Sequence, residues 1–310
     1  MRSFLKHLIF ASNLHKLSRF WNGFHILPYH MIVESPNGFY PQTSTRTFEK
    51  QMAYLARNYE VLSLQETAKK LAGGDSLRGC VAITFDDGFR DNYLNAYPIL
   101  RKYNLPATIF LTTGSIESGQ SPWFIRLRHL FMKTAKTDCV LSTNEGSRSC
   151  SMYTKESKYS ASEEVMDLLK NLADKERDEY LAKLALQLGV TEFHDLNDLM
   201  LTWDQVKEMA GDNIDFGAHT VTHPVLANLP LSVAEEEIRQ SKEAIQGVIS
   251  KPVNTFAYPF GKTHHYNPSL FPILKNLKFI CAVTTEKNPN RHINNPYELN
   301  RFHPWEFSIL

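Results

Sequence analysis

Two carboxylates stand side by side where an apolar run ends, in Val81-Ala-Ile-Thr-Phe-Asp86-Asp87-Gly88. In an α/β barrel or an open parallel sheet, functional sites are built at the C-terminal ends of strands, so this run sets two acids where chemistry is usually done. The competing reading is a plain turn, because Asp and Asp-Gly favour turns for backbone reasons alone. A second run, Phe216-Gly-Ala-His219-Thr-Val-Thr-His223-Pro224, follows another apolar stretch. Histidines four apart share one face if the chain turns helically, and neutral imidazole is a common ligand of divalent metals. Taken singly, each run passes as ordinary. Together they supply two imidazoles and a carboxylate, the ligand set of a catalytic Zn²⁺ or related metal with positions left for water. A third run, Asn254-Thr-Phe-Ala-Tyr258-Pro259-Phe260-Gly261, also ends a strand-like stretch, and Gly261 after the aromatic-proline turn would let backbone approach a ligand closely.

Short apolar runs alternate with helical stretches around these residues. Residues 80–85 read as a buried strand, 91–103 as a helix stopped before Pro106, and 107–112 as the next strand. Residues 214–218, 254–258 and 279–284 are further short strands rich in aromatic or β-branched residues. Between them, 203–210 and 233–249 read as helices opened by capping boxes, Thr202 with Gln205 and Ser232 with Glu235. Strands alternating with helices call for a mainly parallel sheet, open or closed into a barrel. Residues 121–200 break this rhythm: 137–158 is polar and turn-like, and 162–188 is helical, opened by Ser160 with Glu163 and ended by Gly189. That stretch reads as an insertion packed on the main domain, with no chemistry of its own.

The chain has 310 residues, with 34 Lys and Arg against 33 Asp and Glu, for a net charge of +1. That balance gives no electrostatic case for a nucleic-acid partner. Cys80, Cys139, Cys150 and Cys281 show no CxxC spacing, which argues against a thiolate zinc site and a disulfide scaffold. Free thiols are the favoured reading, with a Cys139–Cys150 bridge as the alternative. Residues 1–24 carry Arg2, Lys6, His7, Lys16 and Arg19 among broken apolar stretches. They match neither a signal peptide nor a membrane span. A docked N-terminal helix is expected there, with a peripheral membrane-surface helix as the alternative. The expected location is cytoplasmic.

The three chemical runs together resemble the polysaccharide deacetylase family, the NodB-homology group of carbohydrate esterases. The likeness is carried by Thr84–Gly88, His219–Pro224 and Phe256–Gly261, in the family's order, and extends from about His25 to Arg301. It implies a deformed (β/α) barrel of TIM-like type over residues 25–310, with the 121–200 insertion least typical. It also implies hydrolysis of an N-acyl group, usually N-acetyl on an amino sugar, in surface polysaccharide or glycolipid synthesis. The substrate would be an N-acetylated sugar, oligosaccharide or lipid-linked saccharide. Carried over by position, Asp86 would be the general base, and Asp87, His219 and His223 would hold one divalent ion, Zn²⁺ before Co, Ni, Mn or Fe. A backbone N–H assigned to Tyr258 would stabilise the oxyanion, with Tyr258, Pro259, Phe260 and Gly261 forming part of the substrate site.

One departure from the family pattern concerns the third motif, which usually begins with an arginine that orients the base. Here Phe256-Ala257 precede Tyr258, and Arg301 would approach from the last strand instead. A second question concerns the general acid. The usual family order points to His303, in Arg301-Phe-His-Pro. Some members carry that motif permuted to the N-terminus, and Ile26-Leu-Pro-Tyr29-His30-Met resembles the permuted form, which favours His30. The rival functions are an N-formyl or non-sugar amide hydrolase on the same fold, and a catalytically silent carbohydrate-binding domain. Trp123, Trp203 and Trp305 would serve the core rather than a sugar ring, and His264 and His265 would face solvent.

Overall fold

A computed structural model describes residues 24–143, 146–287, 290 and 295–302. Its strands in chain order are β1 (His25–Tyr29), β2 (Met31–Val33), β3 (Gln42–Ser44), β4 (Glu60–Val61), β5 (Cys80–Phe85), β6 (Ala107–Leu111), β7 (Asp138–Thr143), β8 (Gly146–Ser151), β9 (Ile214–Ala218), β10 (Thr255–Ala257) and β11 (Cys281–Val283). Strands β1-β5-β6-β9-β10-β11 form one parallel sheet in that order, with β4 also paired to β5. All six residues of β5 and all five of β6 are buried. That is why both read as unbroken apolar runs: a parallel strand is covered on both faces and need not alternate.

The sheet curls until its two edges are bridged by 299–302. Leu299 pairs with Val283 beside β11, and Phe302 N–H donates to Ile26 O on β1 at 3.1 Å. The result is a deformed (β/α) barrel whose closing segment has irregular backbone. His30, Asp86, His219 and 258–261 all follow C-terminal strand ends, on one rim.

Several elements differ from the sequence reading. Residues 91–103 begin with a π-helical stretch, Asn92–Ala96, before the α-helix Tyr97–Lys102. The capping box at Thr202 forms as expected. The long helix starts at Leu231, with Pro230 at its N-cap, so Ser232 lies inside its first turn. Within 121–200, the polar stretch contains an antiparallel hairpin, β7–β8. The helical stretch is two helices, Lys155–Leu169 and Asp174–Leu188, and the first is opened by Thr154 with Ser157 rather than by Ser160. These elements enclose a second apolar cluster that reaches the barrel through Met31 and Phe89. Cys139 and Cys150 face each other across the hairpin, and all four cysteines are buried free thiols.

Phe24 makes an antiparallel bridge to Asn290, so the expected terminal helix does not include it. The rest of that helix, His303 and Trp305 lie outside the described residues. Among the described residues no helix is long and apolar enough to cross a membrane.

Candidate active site

The site is two buried half-sites that share the Asp86-Asp87 step. On one side, Arg301 Nη1 and Nη2 donate to Asp86 Oδ1 and Oδ2, both at 2.6 Å. The guanidinium is fixed further by Nε donating to Thr284 O at 2.9 Å and by Nη1 donating to Thr84 Oγ1 at 3.2 Å. Arg301 is 1% exposed, and it reaches the acid because its segment closes the barrel between β11 and β1. Burial pushes the Asp86 carboxyl up, but Arg301, with His219 and His30, outweighs it and holds the group well below the usual carboxylate range.

On the other side, His219 Nε2 and His223 Nε2 lie 3.6 and 3.5 Å from Asp87 Oδ1. All three residues are buried, and Asp87 Oδ1 has no hydrogen-bond partner among the described residues. These separations are long for hydrogen bonds. They suit a shared ion: bonds of about 2.0–2.2 Å in a tetrahedron put neighbouring ligand atoms about 3.4 Å apart. His219 Nδ1 lies 2.7 Å from Ala257 O. A proton on Nδ1 donates there and leaves the Nε2 lone pair facing Asp87, the usual way a second partner fixes a ligating tautomer. Burial lowers the pKa of both imidazoles, so both are neutral at neutral pH, the form that ligates. Burial and the neighbouring Asp86 push Asp87 well above its ordinary value. A buried acceptor lacking any donor, ringed by neutral imidazoles, fits a divalent cation.

The two histidines do not share a helix face, contrary to the expectation from their spacing. Residues 219–225 are a loop. Thr220 and His223 have φ of 67° and 59°, and Asp87 and Phe260 have φ of 74° and 60°. Left-handed non-glycine residues of this kind cost of order 1–3 kcal/mol each and persist where their surroundings over-determine them. In the histidine loop, the backbone between Thr220 and His223 is held by Glu237, which accepts from Val221 N at 2.8 Å, Thr222 N at 3.0 Å and Thr222 Oγ1 at 3.1 Å. No sequence signal marked Glu237.

His30 occupies the break between β1 and β2, with Nε2 3.9 Å from Asp86 Oδ2. At 30% side-chain exposure it is the member of the site most open to solvent. Burial of the remainder lowers its pKa to about 4, against the pull of Asp86.

The third motif needs correction in three places. The Tyr258 N–H donates to Val283 O at 3.2 Å, and its hydroxyl donates to Tyr297 O, so neither group is an oxyanion donor. Its ring stacks on Tyr266 and is fully buried in the core. Gly261 is needed for a close approach to the protein itself, since a Cβ there would lie 2.7 Å from Thr285 N. By contrast, the Phe260 N–H donates to no partner among the described residues, and the Phe260 ring packs 4.8 Å from that of His223. Buried Pro259 forms the turn between them, its carbonyl accepting from Gly261 N.

The insertion also reaches the site. Phe124 lies 4.6 Å from the His223 ring, and Trp123 Nε1 donates to His223 O at 3.1 Å. A stretch read as chemically silent therefore walls the metal half. Trp203 is half-buried and tied to Glu117, His264 is exposed, and His265 is buried rather than solvent-facing.

Residues 73–281 match the polysaccharide deacetylase family. The chain belongs to that family. Its members are hydrolases acting on amide bonds and are generally metal-dependent. Among curated deacetylase relatives, the chain is 24% identical to YxkH of Bacillus subtilis over 278 residues, 89% of this chain and 69% of that one. It is 40% identical to the poly-β-1,6-N-acetyl-D-glucosamine N-deacetylase of Staphylococcus epidermidis over 72 residues, 23% of this chain and 25% of that one. In fold it is similar to IcaB from Ammonifex degensii, with a TM-score of 0.60 at 20% identity, covering 92% of this chain and 94% of that one.

Proposed function

We propose that this deacetylase-family protein is a zinc-dependent N-deacetylase acting on a poly-N-acetylglucosamine-type glycan, in the synthesis of a surface polysaccharide or glycolipid. The observation that carries the reading is the Asp87–His219–His223 donor set lying one residue from a carboxylate gripped by Arg301. The 40% identity with the staphylococcal deacetylase supports the sugar class. Two imidazoles and one carboxylate suit Zn²⁺ among the divalent metals.

When bound by those three residues, the ion supplies a water whose pKa falls from 15.7 towards about 7 and a Lewis acid for the acyl oxygen. Asp86 accepts the proton as the water adds to the amide carbon. Arg301 keeps Asp86 ionised and fixes both its oxygens, so the acceptor is aimed although its basicity is low. The free Phe260 N–H is the backbone donor for the oxygen on which negative charge gathers. His30 is neutral at rest, and Asp86 Oδ2 lies 3.9 Å from its Nε2. The proton lodged on Asp86 therefore has a short path through His30 to the leaving nitrogen, which departs as the amine.

The test is a mass-spectrometric screen of zinc-loaded protein. Its substrates are β-1,6-linked N-acetylglucosamine oligomers, chitin oligomers, N-formyl analogues and lipid-linked N-acetylated saccharides. Acetate release from the β-1,6 oligomers above all others is the expected result. Formate release alone would move the protein to the N-formyl class, and binding without release would make it a carbohydrate-binding domain.

A further inference from the structure

The chain leaves the main sheet at His30 and continues as β2, which pairs with β3 on one edge, so the His30 carbonyl and the other edge of β2 need partners of their own. Three side chains from one short segment provide them. Asn92 Nδ2 donates to His30 O at 2.7 Å. Asp91 Oδ1 accepts from Ile32 N at 2.9 Å and from Asn92 Nδ2 at 2.9 Å, and Asn95 Nδ2 donates to Ile32 O at 2.6 Å. His30 is thus clasped on its own carbonyl and on both backbone groups of Ile32.

The segment that supplies these groups is unusual. Asn92–Ala96 is wound as a π-helix, a form that is rare and appears mostly as single turns at functional sites. Asn92 is 1% exposed, and its Oδ1 has no partner among the described residues. A buried amide left half-satisfied is costly, so a position that needed only to fill space would be better served by an apolar residue. The segment also begins only a few residues beyond Asp86 and Asp87, on the same strand-to-helix connection. The clasp therefore ties His30 to the chain that carries its partner acid.

We propose that Asp91, Asn92 and Asn95 are positioning residues that hold His30 in reach of Asp86 Oδ2. The proposal rests on the reading of His30 as the group that serves the leaving nitrogen. Misplacing a catalytic group by about 1 Å costs on the order of 10²-fold, so Asn92→Ala should lower kcat by about 10–100-fold. KM and zinc content should stay unchanged.

A merely structural role would give the same drop in any background, so the deciding measurement is a double-mutant cycle with His30→Ala, read as kcat on zinc-loaded protein. Residues that act as one unit are strongly non-additive. Asn92→Ala should cost nothing further once His30 is gone. Asn95→Ala, a milder change at a half-buried position, should follow the same pattern and serves if Asn92→Ala does not fold. Equal losses in both backgrounds, loss of zinc, or no loss from either asparagine while His30→Ala is inactive would overturn the clasp. Wild-type turnover in His30→Ala would instead overturn the underlying assignment of His30, and the clasp with it.

Discussion

Asp86 and Asp87 are adjacent, at 3% and 2% exposure, yet their surroundings are opposites. Asp86 has a guanidinium on both oxygens, while Asp87 keeps an oxygen with no donor among the described residues. The first is driven below the usual carboxylate range and the second well above it. Burial pushes both upward, so the partners decide the opposite outcomes. One carboxylate is finished by the protein, and the other keeps an oxygen that a cation held with His219 and His223 would complete. Asp87 follows the end of β5 with φ of 74°, and its Oδ1 lies 3.6 and 3.5 Å from His219 and His223 Nε2.

The largest expected effect separates the two acids functionally. Asp86→Asn should keep zinc and lose on the order of 10²–10⁴ in turnover, the usual range for acid–base catalysis. Asp87→Asn should lose zinc and activity together. Zinc content measured beside the rate checks both, and parallel loss of zinc in the two variants would break the comparison.

How much of this contrast was legible beforehand follows from what kind of group carries it. The four polar residues Asp86, Asp87, His219 and His223 announce themselves by type and by their place after apolar runs. Arg301 also reaches its partner, although a lone arginine in sequence carries no address and only barrel closure supplies one. A backbone N–H has no residue signature, so the sequence does not say that Val283 O takes the Tyr258 N–H while the Phe260 N–H donates to no partner among the described residues. The hairpin inside 121–200 was missed for a related reason. A ribbon with one wet face shows only Cys139, Leu141 and Cys150 as buried apolar positions among polar neighbours, and that composition resembles a loop. The helix signal at Ser160 failed because the box pattern recurs by chance inside helices, and Thr154, at the real start, lies about one and two-thirds turns earlier.

A second prediction concerns stability on the Asp86 side. Arg301→Met removes one partner of a buried pair, and an uncompensated buried charge typically costs about 3–5 kcal/mol. The sign of the pH dependence follows from the depressed acid. Its contribution is fully present above the unfolded value of 3.8 and is lost as pH falls below it towards the still lower folded value. Denaturant titrations should therefore show wild type losing this stability on acidification below pH about 4, while Arg301→Met, already without it, loses less. Identical acid profiles would mean that the bidentate pair adds nothing to the fold.

The smallest expected effect belongs to the Asp87 side and needs no substrate. A ligand that binds only the folded state stabilises it by RT ln(1 + [L]/Kd), about 2.7 kcal/mol at a hundred times Kd. Zinc should raise the stability of metal-free wild type by that amount and by about 1.4 kcal/mol for each further tenfold. Asp87→Asn should show no comparable gain, because two imidazoles alone leave the ion short of its third protein ligand. Without metal the order should reverse. Metal-free wild type must then either bury the charged carboxylate or take up a proton on it, a cost the raised pKa expresses and the uncharged amide escapes, so metal-free Asp87→Asn should be at least as stable as metal-free wild type. A substitution that is harmless or stabilising without zinc and costly with it is what a residue reserved for a cation must show. If Asp87→Asn lowered stability equally with and without zinc, Asp87 would be a packing residue like its neighbours, and the division between the two carboxylates would fail on that side.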